Sequence, residues 1–369
     1  MPINLFSTDN ISELHLDGVD HLIAQYMLLG CQSFITNVDT EINILQYQGM
    51  TLPFSINNKE YESSYVCSPF NAFVSYGRDA LLSATPKLLK KMLELLINGL
   101  ASPLKWMRIN RCVQVNNRLW STNLYANNTS LAVTAIRKKL TQSYPNHTLA
   151  FRSLTATLNG QLIDSFKADG FILLPSRPIC LIDYRCPTLM KKRANKKDRR
   201  YFNKTPYQWL KKVDKTDAYH LHDLYQKMFI KQHSVHNPQF TPLFFQTCIE
   251  QDALEIKALQ DPQSGNLVAM LGLYIEGHIL TVPFAGYDTS LDKKAYLYPI
   301  LNALIAKICE ERQLIYHASA GAMDYKRARG GIEEMEYTAI YVNHLPWFRQ
   351  WGWKILSRLS RAFFKEQTQ

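Results

Sequence analysis

The sequence predicts an α+β protein of two halves, each a mixed, mostly antiparallel sheet flanked by helices. Short stretches that alternate polar and apolar residues recur between stretches with helical periodicity, and Gly, Pro, Asn and Asp mark the turns between them. The 369 residues are 46% hydrophobic, which is enough for two domains with substantial cores. A strongly basic stretch near the middle of the chain separates residues 1–189 from residues 213–346.

The first half alternates between strand and helix signals. The stretch EINILQYQGMTLPFSI alternates on either side of Gln48-Gly49 and predicts a β-hairpin. The predicted elements that follow are a helix from Arg78 to Ile97, strands at Cys112–Val115 and Leu119–Asn123, a helix from Ser130 to Ser143, the strand HTLAFRSL, a short helix near Gly160–Asp169 and the strand-like stretch GFILLPSRPICLID.

The second half begins with two predicted helices, DAYHLHDLYQKMFIKQ and Thr241–Asp252. Three alternating stretches, EIKALQD, NLVAMLGLYIE and HILTVPFAGY, are separated by turn residues and predict an antiparallel meander. A long helix from Lys293 to Arg312 is followed by the strand QLIYHAS, a charged segment and the strand EYTAIYVN. This order predicts an α+β layer structure.

Positive charge is concentrated in two places within a chain of formal charge +11. Residues 190–212 contain ten Lys and Arg residues and one acid, Asp198, and are expected to form an exposed basic linker between the halves. Residues 347–369 contain five basic residues and one acid. Their Trp, Ile, Leu and Phe residues recur at helical spacing, which predicts a basic amphipathic C-terminal helix.

The remaining composition predicts a cytoplasmic protein. Seven scattered cysteines form no C-x-x-C pair, so neither a zinc site nor a disulfide framework is indicated. The stretch MPINLFSTDN lacks the basic and apolar regions of a secretory signal, and no apolar run is long enough to span a membrane.

The second half resembles the GNAT acyltransferase fold, in the branch that includes FemAB-like and CelD-like proteins. The resemblance is carried by HNPQFTPLFF, by GNLVAMLGLYIEGHILTVPFAGYD and by AYLYPILNALIAKICEERQLIYHASAGAMDYKRARGG. The last stretch includes the pattern Tyr-Lys-x-x-x-Gly, which is characteristic of the branch. The first half resembles the fold through its layout and through SPFNAFVSYGRDAL. The resemblance implies two GNAT-like domains in tandem and an N-acyltransferase.

The sequence leaves the identity of the acyl donor open, because a glycine-rich loop is missing. Acetyl-CoA users of this fold carry a glycine-rich loop after the central strand, where main-chain N–H groups bind pyrophosphate. Here the corresponding stretch, GYDTSLDKKAYLYP, has Gly286 but no second glycine shortly after it. Ser290, Lys293 and Lys294 are the candidate donor-binding residues. The resemblance implies acyl-CoA, an acyl carrier protein or aminoacyl-tRNA as co-substrate, with no tightly bound cofactor.

Three residues are candidates for catalysis. Asp288 follows the central strand and is either a base or orienting group, or an ordinary turn residue. His317 ends the strand before the charged segment and is either a base or a locally hydrogen-bonded histidine. Tyr325 belongs to the Tyr-Lys-x-x-x-Gly pattern. Within the central strand, Pro283 favours a bulge or a splayed strand that leaves main-chain N–H groups free for an acyl carbonyl.

The candidate substrate-binding residues lie in two stretches. The charged segment HASAGAMDYKRARGGIEEMEY places Arg327 and Arg329 two apart, on one side of an extended chain, where they form either an anion clamp or salt bridges with the glutamates that follow. His233 and His236 are two further candidates, or are simply surface histidines without a third metal ligand. The full set is His233, His236, Asn237, Tyr287, Lys326, Arg327, Arg329, Glu333 and Glu336.

The basic linker and the basic C-terminal helix each allow two interpretations of what they bind. The basic linker either binds an anion such as tRNA or is a solvated connection. The C-terminal helix either lies on a membrane surface, which would place the protein at the inner membrane face, or packs its aromatic face on the domain. The function hypotheses are an N-acyltransferase acting on a small amine or amino acid, a FemAB-like aminoacyl-tRNA-dependent transferase, and a non-catalytic GNAT-like membrane-associated binding protein.

Overall fold

The computed structural model describes residues 3–14, 16–76, 87–125, 132–230 and 234–366, which build one continuous twelve-stranded sheet with helices packed against it. The strands are β1 Asn4–Phe6, β2 Glu41–Tyr47, β3 Met50–Asn57, β4 Cys112–Val115, β5 Thr148–Leu154, β6 Ile172–Asp183, β7 Gln208–Trp209, β8 Glu255–Gln260, β9 Leu267–Glu276, β10 Ile279–Tyr287, β11 Ile315–His317 and β12 Ile332–Tyr341.

The α-helices lie mainly in the connections between strands. They are α1 Gly18–Leu29, α2 Cys31–Phe34, α3 Lys87–Trp106, α4 Val133–Ser143, α5 Ala156–Ala168, α6 Arg193–Lys204, α7 Ala218–Tyr225, α8 Pro242–Glu250, α9 Leu297–Glu311, α10 Met323–Arg327 and α11 Trp347–Glu366. None of the helices in the described ranges is long and apolar enough to cross a membrane.

The two halves exchange their last strands. The order in the sheet is β1-β2-β3-β4-β5-β12-β6-β11-β10-β9-β8-β7. From one edge, β1 to β5 are followed by β12 of the second half and then by β6. From the other edge, β7 to β11 are followed by β6 of the first half and then by β12. Each half is therefore completed by a strand from the other half.

The same plan governs the pairing within each half. One strand pair in each half is parallel, β4 with β5 in the first and β10 with β11 in the second, and the remaining pairs are antiparallel. Each parallel pair is joined through a helix, α4 or α9, as a parallel connection requires. This internal correspondence is the repeat that the layout of the sequence predicts.

Helices pack on the sheet in both halves. In the second half, α9 packs against β9 and β10 with residues of the basic helix α6, while α7, α8 and α1 pack in another core. In the first half, α4 and α5 cover one core, and α3 and α11 cover another. Helix α11 therefore belongs to the first half in space although it follows the second half in sequence.

Local chemistry explains several of these elements. The predicted hairpin at Gln48-Gly49 is confirmed, and both residues have positive φ values, +50° and +79°. Thr241 caps the start of α8 by accepting a hydrogen bond from the Phe244 N–H, with Pro242 in the first turn. At Gly286 in β10, an added Cβ would lie 2.6 Å from the carbonyl carbon of Leu224 in α7. This glycine therefore serves close packing between strand and helix.

Some predicted elements differ from the structure. Residues 119–123 were expected to form a strand, but they make turns and buried loops, so that prediction is wrong. The third predicted helix of the first half starts earlier than expected, at Ala156 rather than near Gly160. Helix α3 continues to Trp106, beyond the predicted end at Ile97, and its predicted start lies outside the described residues.

The basic linker has more structure than a connection requires. Its central part forms helix α6, whose buried Asn195 and Asp198 both bond to Arg329 of the charged segment, whereas its Lys and Arg side chains are exposed. The predicted C-terminal helix is confirmed as α11.

Candidate active site

The two parallel strands β10 and β11 separate at the centre of the second half. They pair over three residues only, ending with Thr281 opposite His317, and β10 then continues from Val282 to Tyr287. The pairing of β10 with β9 shifts register between Thr281 and Phe284, around Pro283. The predicted bulge at Pro283 is thus confirmed, and we call the space beside β10 beyond the end of β11 the gap.

Asp288 and Ser290 lie at the outer end of this gap. The Asp288 carboxylate accepts hydrogen bonds from the Ser290 N–H (3.0 Å) and hydroxyl (2.7 Å), and its Oδ1 lies 3.7 Å from Lys227 Nζ. Partial burial opposes ionisation, but the Ser290 hydrogen bonds and the Lys227 ammonium outweigh it and hold the pKa of Asp288 below its ordinary value. Asp288 is therefore an anion at neutral pH. Because its pKa is lowered, it is a weak base and is better suited to holding an ammonium group than to removing a proton.

The start of α9 forms a second side of the gap. Tyr296 precedes the helix in the left-handed region, with φ of +52°, and no side chain caps the first N–H groups. Exposed Lys293 and Lys294 come immediately before it. The Tyr298 ring in the first turn lies 6.4 Å from the ring of Tyr287, between centroids. Uncapped N–H groups beside two ammonium groups favour an anion.

The basic helix α6 continues this positive surface. Tyr201 of α6 stacks on Tyr296 with ring centroids 3.8 Å apart, and Lys197 Nζ lies 5.8 Å from the centroid of the Tyr201 ring. We call this surface the basic surface. Its exposed cations are Lys191, Lys192, Arg193, Lys196, Lys197, Arg199, Arg200, Lys204, Lys293 and Lys294. Residues from two distant segments therefore form one positive surface beside the gap.

The charged segment folds as a short helix and a turn, not as an extended strand. Helix α10 ends at Arg327, so the expectation that Arg327 and Arg329 share one side of an extended chain is wrong. Residues two apart in helical geometry point in different directions. Arg327 is exposed and forms salt bridges with Asp324 at 3.0 Å and with Glu333.

Arg329 instead joins the charged segment to the basic helix. It is buried, and its guanidinium donates to both carboxylate oxygens of Asp198, at 2.6 and 2.9 Å, and to the Tyr325 carbonyl at 2.7 Å. It also stacks on the Tyr325 ring, 3.1 Å from the centroid, while the Tyr325 hydroxyl donates to Asp198. Burial and the Asp198 carboxylate raise the pKa of Tyr325 well above its ordinary value. These three side chains fix α6 against the segment.

Lys326 organises the small residues that precede it. Its buried ammonium donates to the carbonyls of Ala318 (2.7 Å), Ser319 (3.1 Å) and Ala320 (2.7 Å). Three charge-assisted bonds hold the chain in the turn after β11. In this arrangement all three donors of Lys326 are used inside the protein.

His317 lies where β10 and β11 part, and it is fully buried. The main-chain N–H of Ser319 donates to His317 Nδ1 at 3.3 Å, so the neutral ring carries its proton on Nε2. No described residue accepts a hydrogen bond from Nε2. Burial lowers the pKa of His317 to about 4. The group is thus neutral at pH 7 and presents a donor rather than a lone pair.

Glu336 is buried beside this histidine in a different structural role from Glu333. It forms a two-bond salt bridge with Arg177 of β6, at 3.0 and 3.3 Å, and Arg177 also donates to the Ser121 carbonyl at 2.6 Å. Because Glu336 lies on β12 and Arg177 on β6, this ion pair joins the two exchanged strands. Glu336 and Glu333 are therefore not brought together in one site.

A cleft in the first half contains two cations that the sequence pattern did not single out, Arg152 and Arg177. Its volume is about 80 Å³, and it is lined by Arg152, Arg177 and Glu336 together with Tyr65, Tyr76, Gln114 and Trp353. Arg152 donates to the Val66 carbonyl at 2.7 Å. The available signal was a single cation inside an apolar strand, as in LAFRSL and SRPICLID, since such a residue needs a buried partner or a ligand.

The remaining candidates lie near the interface of the two halves. His236 Nδ1 is 3.2 Å from Asn71 Nδ2, and its ring packs edge-on against Tyr76 at 6.3 Å. Asn237 is buried, and its side chain donates to the Phe229 carbonyl at 3.2 Å. His233 lies outside the described residues. His236 thus borders the cleft through Tyr76, whereas Asn237 supports the loop.

Comparison with known proteins bears on the fold. No protein-family model matches the sequence, and no curated protein matches it. Among solved structures, FemX matches with a TM-score of 0.52 and 8% identity, over 92% of this chain and 98% of that one. A tandem GNAT protein from the clavulanic acid biosynthesis pathway matches with a TM-score of 0.38 and 8% identity, over 94% and 99% of the two chains. L-PGS from Bacillus licheniformis matches with 0.45 and 10%, over 58% and 74%.

The chain has a tandem GNAT-like fold. This follows from the FemX match over nearly the whole of both chains and from the repeated strand plan of the two halves. At such low identity the likeness concerns the path of the chain and not its substrates.

Proposed function

We propose that this protein is an N-acyltransferase that moves an acyl group from an ester or thioester donor to an amine. The observation that carries the proposal is the gap where β10 continues past its pairing with β11. Main-chain N–H groups on a free strand edge can hold the acyl carbonyl oxygen and stabilise the negative charge that develops on it during attack. The tandem GNAT-like fold supports this class of reaction.

The reaction requires the amine nitrogen to attack the acyl carbon while the donor oxygen or sulfur leaves. Asp288 at the mouth of the gap is suited to orienting the incoming amine, because it is ionised and a quarter or less of its side chain is exposed. The amine loses a proton as the new bond forms and the departing oxygen or sulfur gains one, so the proton passes from the attacking nitrogen to the leaving group. The neutral His317, with its N–H on Nε2, is suited to donating a hydrogen bond rather than to removing that proton.

The donor that we propose is a polyanion of the size of aminoacyl-tRNA. Helix α6 alone extends for roughly 18 Å at 1.5 Å per residue, and its exposed cations continue to Lys293 and Lys294 beside the gap. The pyrophosphate of CoA would engage only a small part of such a surface, whereas a nucleic-acid backbone would contact it along its length. The missing glycine-rich loop favours the same choice, with acyl-CoA as the alternative.

Charge reversal on α6 tests the donor. We expect Lys196→Glu/Lys197→Glu to weaken tRNA binding at least about tenfold and to make the dependence of log K on log salt shallower, because phosphate contacts are lost. Lys91→Glu/Lys138→Glu reverses two exposed charges on α3 and α4 and is the matched control, for which binding should stay near that of the wild type. Equal losses in the two variants would show that only net charge matters, and the proposed tRNA surface would be wrong.

Two measurements test the reaction itself. Thermal unfolding with aminoacyl-tRNA, acetyl-CoA or free CoA should show stabilisation by a true donor, since a ligand of the native state raises the melting temperature. Transfer of a radiolabelled acyl group from each donor to a panel of amino acids and diamines is then followed. Stabilisation and transfer with acetyl-CoA alone, unchanged by the α6 variant, would keep the acyltransferase and refute the tRNA donor. No stabilisation by any donor would refute the acyltransferase.

A further inference from the structure

The inner face of α11 packs against the first half and forms hydrogen bonds with it. Arg349 donates to four main-chain carbonyls, those of Met107, Arg108, Arg111 and Asn146, at 2.6 to 3.2 Å. Trp353 packs into the core and its indole N–H donates to the Thr148 hydroxyl at 3.0 Å. Farther along, the Ser360 hydroxyl donates to the Pro175 carbonyl at 2.6 Å. The helix is therefore held in a fixed orientation over the sheet.

The outer face of α11 exposes large apolar side chains. Trp347, Trp351, Ile355 and Leu359 recur every fourth residue and are 72%, 58%, 41% and 46% exposed. Trp106 at the end of α3, 67% exposed, extends the patch, with its ring 5.0 Å from that of Phe348. The sequence pattern allowed either a docked helix or a membrane-binding one, and the structure separates the two sets of residues. Trp353 and Leu356 dock the helix, while the other tryptophans face outwards.

The same outer face is positively charged. Lys354, Arg358 and Arg361 are exposed between and beside the apolar residues. From Trp347 to Lys365 the sequence contains no Asp or Glu. A face that combines tryptophan, aliphatic residues and cations matches the boundary between lipid headgroups and acyl chains, where the rings are buried and the cations meet anionic headgroups.

We propose that the outer face of α11, with Trp106, binds the surface of an anionic lipid bilayer. Pairing of this face with a second copy of the chain is the less suitable arrangement, because a symmetric contact would bring Lys354, Arg358 and Arg361 of both copies together without an acidic partner on the face. Exposed apolar surface of this kind is seldom left uncovered on a monomer. The proposal is independent of the acyltransferase reaction.

Vesicle co-sedimentation of the full chain tests this surface. We expect binding to phosphatidylcholine vesicles that contain about one third phosphatidylglycerol, and at least about tenfold weaker binding to phosphatidylcholine alone. Trp347→Ala/Trp351→Ala should weaken binding to the anionic vesicles at least about tenfold, through the loss of buried ring area. Lys354→Glu/Arg358→Glu should remove the preference for anionic lipid.

Controls keep the outcomes distinct. Tyr219→Ala removes an aromatic ring that is 74% exposed on α7, away from the patch, and should leave binding unchanged. All variants change exposed side chains, so circular dichroism and the melting temperature should match those of the wild type. Absence of binding to either vesicle, or equal binding by the double tryptophan variant, would overturn the proposal. A dimer in analytical ultracentrifugation that the tryptophan variant abolishes, without vesicle binding, would assign the face to self-association and overturn it too.

Discussion

Replacing Arg329 with methionine is expected to destabilise the protein strongly although it keeps most of the apolar stem of the side chain. The change removes the two bonds to Asp198, at 2.6 and 2.9 Å, and the bond to the Tyr325 carbonyl. Among the described residues, Asp198 then keeps only the Tyr325 hydroxyl as a side-chain partner, at 3.1 Å, in a site where just 4% of its side chain is exposed. Removing one partner of such a buried pair costs roughly 3–5 kcal/mol in free energy of unfolding.

The partner variant separates the ion pair from simple loss of packing. Asp198→Leu alone leaves the Arg329 guanidinium buried without its carboxylate and is expected to cost a similar amount. The double variant leaves no unpaired charge, so its loss should be smaller than the sum of the single losses by about 2 kcal/mol or more. Urea unfolding followed by tryptophan fluorescence and by circular dichroism gives the three values, with coincident transitions as the test of two-state behaviour.

Arg327→Met is the matched control, two residues away. Arg327 pairs with Asp324 and Glu333, but it is exposed, so solvent screens these pairs and the unfolding midpoint should hardly change. Additive losses in the double variant, or an equal loss in the Arg327 variant, would show that the buried network does not stabilise the junction between α6 and the charged segment.

Two further predictions concern stability. The buried His317 stays neutral because its pKa is lowered to about 4, so below about pH 6.5 the native state binds fewer protons than the unfolded state. As the pH falls from about 6.5 to about 4, the wild type should therefore lose up to about 3 kcal/mol of unfolding free energy relative to His317→Gln. Urea midpoints that change equally with pH in both proteins would refute this. Gly286→Ala should lower the melting temperature because its Cβ would collide with the main chain at Leu224, whereas Gly99→Ala, in a helix with open space around it, should be neutral or slightly stabilising. Calorimetry that ranks the two glycine variants in the opposite order would contradict the packing argument.

Local patterns were sufficient for much of the fold. The hairpin at Gln48-Gly49, the meander of β8 to β10 and the bulge at Pro283 all follow from turn residues, alternation and the missing N–H of proline. The exchange of β6 and β12 could not be predicted in this way, because alternation shows that a segment is a strand but not which distant strand it pairs with. The strand prediction for residues 119–123 was wrong for a related reason. Apolar residues that are buried by distant parts of the chain can produce the same sequence pattern as a strand.

The candidate site was predictable in composition but not in geometry. The sequence indicated that HASAGAMDYKRARGG is unusual, and the structure shows that its charges serve different purposes. The salt-bridge partner Asp324 of Arg327 is close in the sequence, whereas the partner of Arg329 lies 131 residues earlier, on α6. Glu336 likewise takes Arg177 as its partner, 159 residues away. Such pairings depend on how the halves assemble, which no local pattern encodes.

The exchanged strands also fix an order of events during synthesis. The N-terminal half emerges from the ribosome first, yet β5 pairs on one side with β12, which ends at Tyr341. Until that strand is translated, β5 presents an unpaired edge, and the face later covered by α11 is open as well. Unpaired strand edges are sites of wrong association. The first half is therefore completed only after residues 332–366 have emerged, and ribosome-bound chains stopped at residue 331 should be far more sensitive to protease in β5 than the chain after its release.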